Sequence, residues 1–525
     1  SHMIKVCFPT REDNAIVLGE LLKGSSIKEQ RLIEVAMYSP QWIDIIEEYL
    51  GYKGLKNGCF YFMAHMNESF DDKKQAMIAK YTPLSPDDLQ NGGFDIQWFK
   101  EAYTMLGKDR FELLYDSAKY ISDGNKHGRG RKYADAALGK VTVSAVMKEI
   151  TSKRNKDLLM SLGIIPIKDN QDMINRYEFF NRFKKESTSY GAQRRASEGL
   201  AVNIAMKNLA TNAGYADVTR LTLTMETELI KTWSKYFQWK KAKDAELMIE
   251  ISDSGHATIL CKKSDKILKN VPANLKKNEY YLEIKEVHQK LKEQYSRSVK
   301  LFEQAMEERE EYQLKELLML MTNDVIRPIL EGIVFVDSKG NTGFLVEQGL
   351  RNWENKIIQL DTAASVYVAH TYDIYTEGNW HKYQTYIFEQ SMIQPFKQVF
   401  RELYLKTADE LNLTHSLMFA GNQIQPQKTV GCLKGRRWIA DYEEGLQKVF
   451  YKENIVACIY ALADWFSPSD IEAPTLEWVE FSDRKTFKSL PIKDVPDILF
   501  SEVMRDVDLA VSVAHAGGVD PETSH

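Results

Sequence analysis

No run of the chain approaches the roughly 18 consecutive apolar residues that a membrane-spanning helix needs, so no membrane association is expected. Cysteine is scarce as well. Cys7, Cys59, Cys261, Cys432 and Cys458 lie far apart among 525 residues and form no CxxC pair. That spacing argues against a structural zinc site and a disulfide framework, and it fits a reducing, cytoplasmic setting. Charge of one sign is missing too. A formal net charge of -5 is small for this length, so the whole molecule is no polyanion binder, although local basic patches remain open to it. Nor is apolar content low enough for disorder, since hydrophobic residues make up 44% and charged ones 27%. After Ser1-His2-Met3, which reads as a remnant of tag cleavage, no charged stretch precedes an apolar one as in a signal peptide. The far end, from Ala514 to Pro521, stops in a loop-like stretch, and the natural protein is expected to continue beyond His525.

Several catalytic patterns are absent. The ten histidines include no HExxH and no paired ligand spacing, so no metal site is expected. Gly139-Lys140 would complete a phosphate loop only with a glycine at position 134, which is Ala134. No GxSxG elbow occurs, and His370 and His515 read as strand-end or loop histidines. No cofactor can be named from these residues.

What is present is mostly helix. A chain this long exceeds one ordinary core and calls for two to four domains or one extended body. Apolar residues recur at helical spacing from Ile27 onward, with Leu32, Val35, Ala36, Trp42, Ile43 and Ile46 as the first examples. Breaks at Ser39-Pro40, Gly107 and Gly163 to Pro166 separate these helices, and Gly124 to Lys132 reads as a basic, glycine-punctuated loop. The helix carrying Ala192, Ala196, Leu200, Ile204 and Ala205 ends at Gly214. No fixed repeat length emerges, so 4–214 is an irregular helical array. Over 215–330 the pattern is a β-hairpin about Ser252 to Gly255 followed by a long helical hairpin. Its first helix carries Ile284, Val287, Leu291, Tyr295, Val299, Phe302 and Met306, and a second runs from Leu314 to about Val325. Over 331–525 strands alternate with helices, including two from about Trp380 to Tyr404 of which the second is expected to start at Pro395. The fold class is thus mostly α with an α+β C-terminal half.

Charged residues group in four places. Arg129 and Arg131, with His127 and Lys132, and a second group of Lys434, Arg436 and Arg437 with Lys428, could bind phosphate or nucleic acid through guanidinium forks. A solvated surface loop is the simpler explanation, because the aromatics of a single-strand platform are not interleaved with them. Arg194 and Glu198 stand four apart and can pair along one helix face, with Arg195 beside them, while Asp217, Arg220 and Glu226 can tie the following segment back. Glu502, Arg505, Asp506 and Asp508 cluster beside Phe500, Val503 and Leu509, where ion pairing competes with a functional site.

The stretches SYGAQRRASEGLAVNIAMKNLATNAGYADVTRLT, RPILEGIVFV, QSMIQPFKQVFRELY and LFSEVMRDVDLAVSVA, in that order, resemble the bacterial domain-of-unknown-function family 4132 over about Glu34 to Val513. Some of its members carry a WGR domain and are described as MolR-like regulators of molybdate metabolism. The resemblance implies no catalytic residues. No WGR domain is recognisable here, and by the resemblance the family's C-terminal portion is expected to lie beyond His525. Two functions follow. One is a helix-rich scaffold or interaction module, regulatory or nucleic-acid-linked, with a protein or nucleic acid as partner. The other is an enzyme whose site between the halves uses Arg194, Arg195, Glu198, Arg220, Arg401, Glu402, Arg505 and Asp506.

Overall fold

A computed structural model describes residues 2–66, 74, 77–78, 80–121, 126–215, 217–441, 445–450, 452–462, 475–484, 486 and 488–514. The chain divides into two compact units, Ser1–Leu229 and Ile230–His525.

Every described element of the first unit is helical, including Glu29–Tyr38, Leu55–Ala64, Ile96–Leu106 and Lys108–Ser117. Its core is strongly aromatic. Tyr61, Phe62, Trp98, Phe99, Phe111 and Tyr133 are all nearly or fully buried. Four further helices matter for the site and are labelled α1 (Val143–Lys153), α2 (Lys156–Leu162), α3 (Asn170–Glu186) and α4 (Ala192–Asn212). Their starts are locally encoded. Thr142, Asn155 and Asp169 accept amide hydrogen bonds at the N-termini of α1, α2 and α3, each contributing about 1 kcal/mol. The turn after α2 is locked by tertiary contacts. Asn212 donates to the carbonyls of Gly163, Ile164 and Ile165 at 3.0, 3.1 and 2.9 Å, and buried Arg176 donates to those of Leu162, Ile165 and Pro166. A Cβ at Gly163 would stand 2.5 Å from the carbonyl oxygen of Ala205, so only glycine lets α2 approach α4 this closely.

Two expectations change in this unit. The basic loop ending at Lys132 is partly helix, because Gly128–Ala137 is helical and Arg129 anchors its first turn to the carbonyl of Gln90 and to Asp157. Tertiary anchoring overrides the weak helix propensity of the two glycines. A helix at Val218–Thr232, where the sequence pattern suggests no element, follows α4.

The second unit contains three antiparallel sheets. The first is the meander β1 (Lys240–Ala242), β2 (Ala245–Ile251), β3 (Ala257–Lys263) and β4 (Lys266–Leu268), whose central hairpin lies where the sequence places it. Next comes α5 (Glu279–Glu307), 29 residues long and capped by Asn278. The second sheet combines β5 (Glu311–Gln313), β6 (Val334–Asp337), β7 (Thr342–Val346), β8 (Gly349–Arg351), β9 (Ile357–Gln359) and β10 (Ser365–Val368) in the order β5-β10-β6-β7-β8-β9. The third is built from β11 (His415–Ser416), β12 (Ile439–Asp441), β13 (Gly445–Phe450), β14 (Ile455–Leu462) and β15 (Thr475–Asp483) in the order β11-β15-β14-β13-β12. Against it packs α6 (Asp497–Ala514), whose Leu499, Phe500, Val503 and Val507 share a core with Leu446, Ile459, Val479 and Phe481. An α+β C-terminal half after a helical N-terminal half is therefore the observed class.

Two helices of this unit are shorter than their apolar spacing suggests. The helix beginning at Leu314 ends at Leu320, because the Asn323 side chain accepts from the amides of Val325 and Ile326 and turns the chain. Trp380–Glu389 is helical, but 390–404 is not. The second helix expected from Pro395 does not form, because the buried Gln398 amide takes backbone partners, accepting from Val334 N–H and donating to the carbonyls of Val334 and Ala369, each at 2.8 Å.

Candidate functional site

The first unit centres its polar chemistry on Glu198, which lies on α4 and is buried. Arg154, in a left-handed conformation (φ 48°) at the end of α1, donates from Nη2 to Glu198 Oε2 at 2.8 Å and from Nε to Oε1 at 3.2 Å. Its remaining contacts go to Glu186, Ser187 and the carbonyl of Phe183, so this guanidinium is fully engaged. Arg194 donates from Nε to Glu198 Oε1 at 2.9 Å and stacks on Tyr190 at 3.8 Å. Burial acts to raise the Glu198 pKa, but hydrogen bonds from Arg154, Ser187 and Arg194 outweigh it and bring it down to about 2. Glu198 is therefore an anchoring anion and not a proton acceptor.

Beside this anchor runs an open polar groove. One part, ≈ 520 Å³, is lined by Gln90, Asn91, Arg129, Lys156, Asp157 and Leu200 among others. A second part, ≈ 390 Å³, is lined by Arg154, Lys156, Gln193, Arg194, Ser197 and Glu198. The two parts share Arg154, Lys156 and Ser197. Their carboxylates are already answered, Glu198 by two arginines and Asp157 by Arg129 at 3.0 Å and Lys132 at 3.8 Å. Lys156 Nζ donates to the Ser197 hydroxyl at 2.7 Å and pairs with no carboxylate among the described residues.

The second unit inverts this arrangement. Buried Arg401 holds Glu502 through two hydrogen bonds of 2.6 Å and reaches Glu303 and Glu307 on α5 at 2.9 Å each. His370 accepts the Tyr372 amide at Nδ1, so its Nε2 carries the hydrogen that reaches Glu502 Oε1 at 2.9 Å. One helical turn along α6, buried Asp506 accepts from Arg436, Trp438 and Lys448 at 2.9, 2.8 and 2.8 Å. Burial tends to raise the Glu502 pKa, yet Arg401 and His370 hold it well below the usual carboxylate range. Glu307 goes the other way. Burial and the nearby charge of Glu502 push it up to about 7, against the opposing influence of Lys448 and Arg401.

The remaining sequence candidates fall into place around these centres. Arg195 is exposed on α4, and Arg220 pairs locally with Asp217. Glu226 accepts from Tyr177 on α3 at 3.0 Å, so it ties its helix to α3 and not only to the preceding one. Glu402 pairs with Lys397 and accepts from Arg505 at 3.1 Å. Arg131 stacks on Tyr115 at 4.3 Å, and Arg437 pairs with Glu308, while Lys434 is exposed. Arg194 and Glu198 thus meet with Arg129 around one groove, while Arg401 and Asp506 belong to one ion network of the second unit. Sequence reasoning misses Arg154, Lys156 and Ser197. Their only signal is the Asn155 cap, which places Lys156 at the first turn of α2. His370, expected at a strand end or in a loop, follows β10 directly and is the buried cap of the next helix. His515 lies outside the described residues. Among the described residues, no three His, Cys, Asp or Glu side chains converge as a metal-holding group, and no helix is long and apolar enough to cross a membrane.

Comparison with known families divides the chain near the same place as its packing. Residues 1–225 match the model of a family of unknown function (DUF5724), and residues 266–438 match that of a domain of unknown function (DUF4132). No curated protein and no solved structure gives a match. The DUF4132 match is shorter than the span of the sequence resemblance. RPILEGIVFV and QSMIQPFKQVFRELY fall inside it, the stretch from Ser189 falls in the other match, and the stretch from Leu499 lies outside both. The chain therefore joins a DUF5724-like region to a DUF4132-like one, and the DUF4132 match agrees with the resemblance carried by RPILEGIVFV and QSMIQPFKQVFRELY.

Proposed function

We propose that the protein is a helix-rich interaction module that binds an anionic partner through its N-terminal unit, in a regulatory or nucleic-acid-linked role. The observation that carries this reading is the open groove of the first unit, whose carboxylates are neutralised from within while Lys156 and the outer nitrogens of Arg194 face it without a carboxylate of their own. The resemblance to WGR-associated, MolR-like bacterial proteins points toward the same role, and a cytoplasmic location suits five free cysteines. Within this reading the array of 4–214 supplies the binding face, and the segments 215–330 and 331–525 form the supporting body.

The enzymatic alternative has less support. Glu198, Arg220, Arg401, Glu402, Arg505 and Asp506 each pair with a carboxylate or cation, which leaves them engaged in holding the fold, and Arg194 is tied to Glu198 through Nε alone. Fluorescence anisotropy of the intact chain with labelled single- and double-stranded oligonucleotides tests the reading. Binding is expected at low salt and should weaken linearly in logarithmic terms as salt rises. No binding of either oligonucleotide at low salt, together with no saturable protein partner, overturns it.

A further inference from the structure

We propose that the groove between α2 and α4 is a binding site for the phosphate of a nucleotide, with Lys156, Ser197 and Arg194 as its donors. The proposal rests on the binding-module reading and specifies where and what that module binds. Arg194 and Ser197 stand three apart on α4 and so share a helix face, and Lys156 reaches them from the first turn of α2. The Ser197 hydroxyl accepts from Lys156 Nζ at 2.7 Å, which leaves its own hydrogen to donate outward. Lys156 retains two further N–H groups. Arg194 uses Nε on Glu198, and its stacking on Tyr190 holds the outward-facing nitrogens in one plane. Three donors therefore converge with no acceptor of comparable charge opposite them, because Glu198 is itself buried beneath Arg154 and Arg194. That arrangement suits the several oxygens of a phosphate better than the two of a carboxylate.

The rest of the groove is suited to a nucleoside. Its ≈ 520 Å³ part lies within the usual size of small-ligand sites. Leu200, 46% exposed on α4, offers apolar surface that a planar base would cover, above the buried Met160 of α2. The side-chain amides of Gln90 and Asn91 stand on the same rim and can meet the polar edge of a base. Lys156, Arg194 and Ser197 lie at the surface, so replacing them tests binding without removing core.

The same chemistry could arrive as a free nucleotide or as part of a strand. Titration calorimetry of the full chain with adenosine 5′-monophosphate and with inorganic phosphate, and anisotropy with a short single-stranded oligonucleotide, separate these sources. The nucleotide is expected to bind more tightly than phosphate. Lys156→Glu should abolish binding, Arg194→Gln should weaken it about tenfold, and Lys339→Ala, an exposed cation of the other unit, should leave it unchanged. Melting temperatures should match the unsubstituted protein throughout. Nucleotide binding that Lys156→Glu abolishes, with no oligonucleotide bound, supports the site and removes the nucleic-acid part of the broader reading. Oligonucleotide binding that survives Lys156→Glu overturns the site while the module reading stands. Phosphate binding as tight as the nucleotide's overturns the nucleoside assignment, and silence of all probes overturns the site, while the module reading falls only if no saturable protein partner binds either.

Discussion

In the N-terminal unit one buried carboxylate, Glu198, is shared by two arginines, whereas in the C-terminal unit one buried arginine, Arg401, is shared by three glutamates. Both arrangements join distant segments, but they leave opposite residues of charge. Around Glu198 the surplus is cationic and faces an open groove. Around Arg401 the surplus is anionic and turned inward, so one glutamate, Glu307, is left competing with Glu502 for the same cation. Similar ion pairs can thus serve to display charge in one place and to hold a core in another, depending on which sign is in excess and whether water reaches it.

The largest break of this contrast should come from Arg401→Met. It would leave buried Glu502 with only His370, Glu307 with only Arg437 at 3.6 Å and Glu303 without its arginine, at a cost of about 3–5 kcal/mol in chemical denaturation of the full chain. A loss under about 1 kcal/mol would mean that Arg401 does not hold the network. Glu198→Gln should cost less, about 2 kcal/mol, because Arg154 keeps Glu186 and Arg194 is half exposed. Equal losses for the two variants would erase the distinction.

Acid and base should separate the two centres next. Glu198 has a depressed pKa, so its stabilisation is complete above its ordinary value of 4.5 and is lost as pH falls through about 2. Glu307 has a raised pKa, so the folded state holds its proton more tightly than the unfolded chain. Stability should fall as pH rises from 4.5 through about 7 and then level off. Calorimetric melting of Glu307→Gln should lack that decline, and Glu198→Gln should have a shallower acid limb. A decline that persists in Glu307→Gln would assign it to another group. The smallest effect on stability should be that of Lys156→Ala, within about 0.5 kcal/mol, since its one partner is a surface hydroxyl.

Local pairs and local periodicity are legible in the amino-acid sequence. The 29-residue α5, the β2–β3 hairpin and the Arg194–Glu198 pair all depend on residues within a few positions of each other. The segment 390–404 has helical apolar spacing, but the side chains of Gln394 and Gln398 find backbone partners in 332–334 and 369 that spacing cannot reveal. Arg154 carries no sequence signal, since its carboxylate lies 44 residues away, and Glu502 lies 101 residues from Arg401.

The order of residues dictates a helical first half, an α+β second half, most of their turns and caps, and the charged side chains from which any site must be built. Which of those charges are buried, which are shared and which face a groove follows from the packing of segments far apart in the chain. The reason is physical. Helix and hairpin formation follow from neighbours along the chain, whereas desolvation and Coulomb interaction depend on distances in space, and these set Glu198 near 2 and Glu307 near 7.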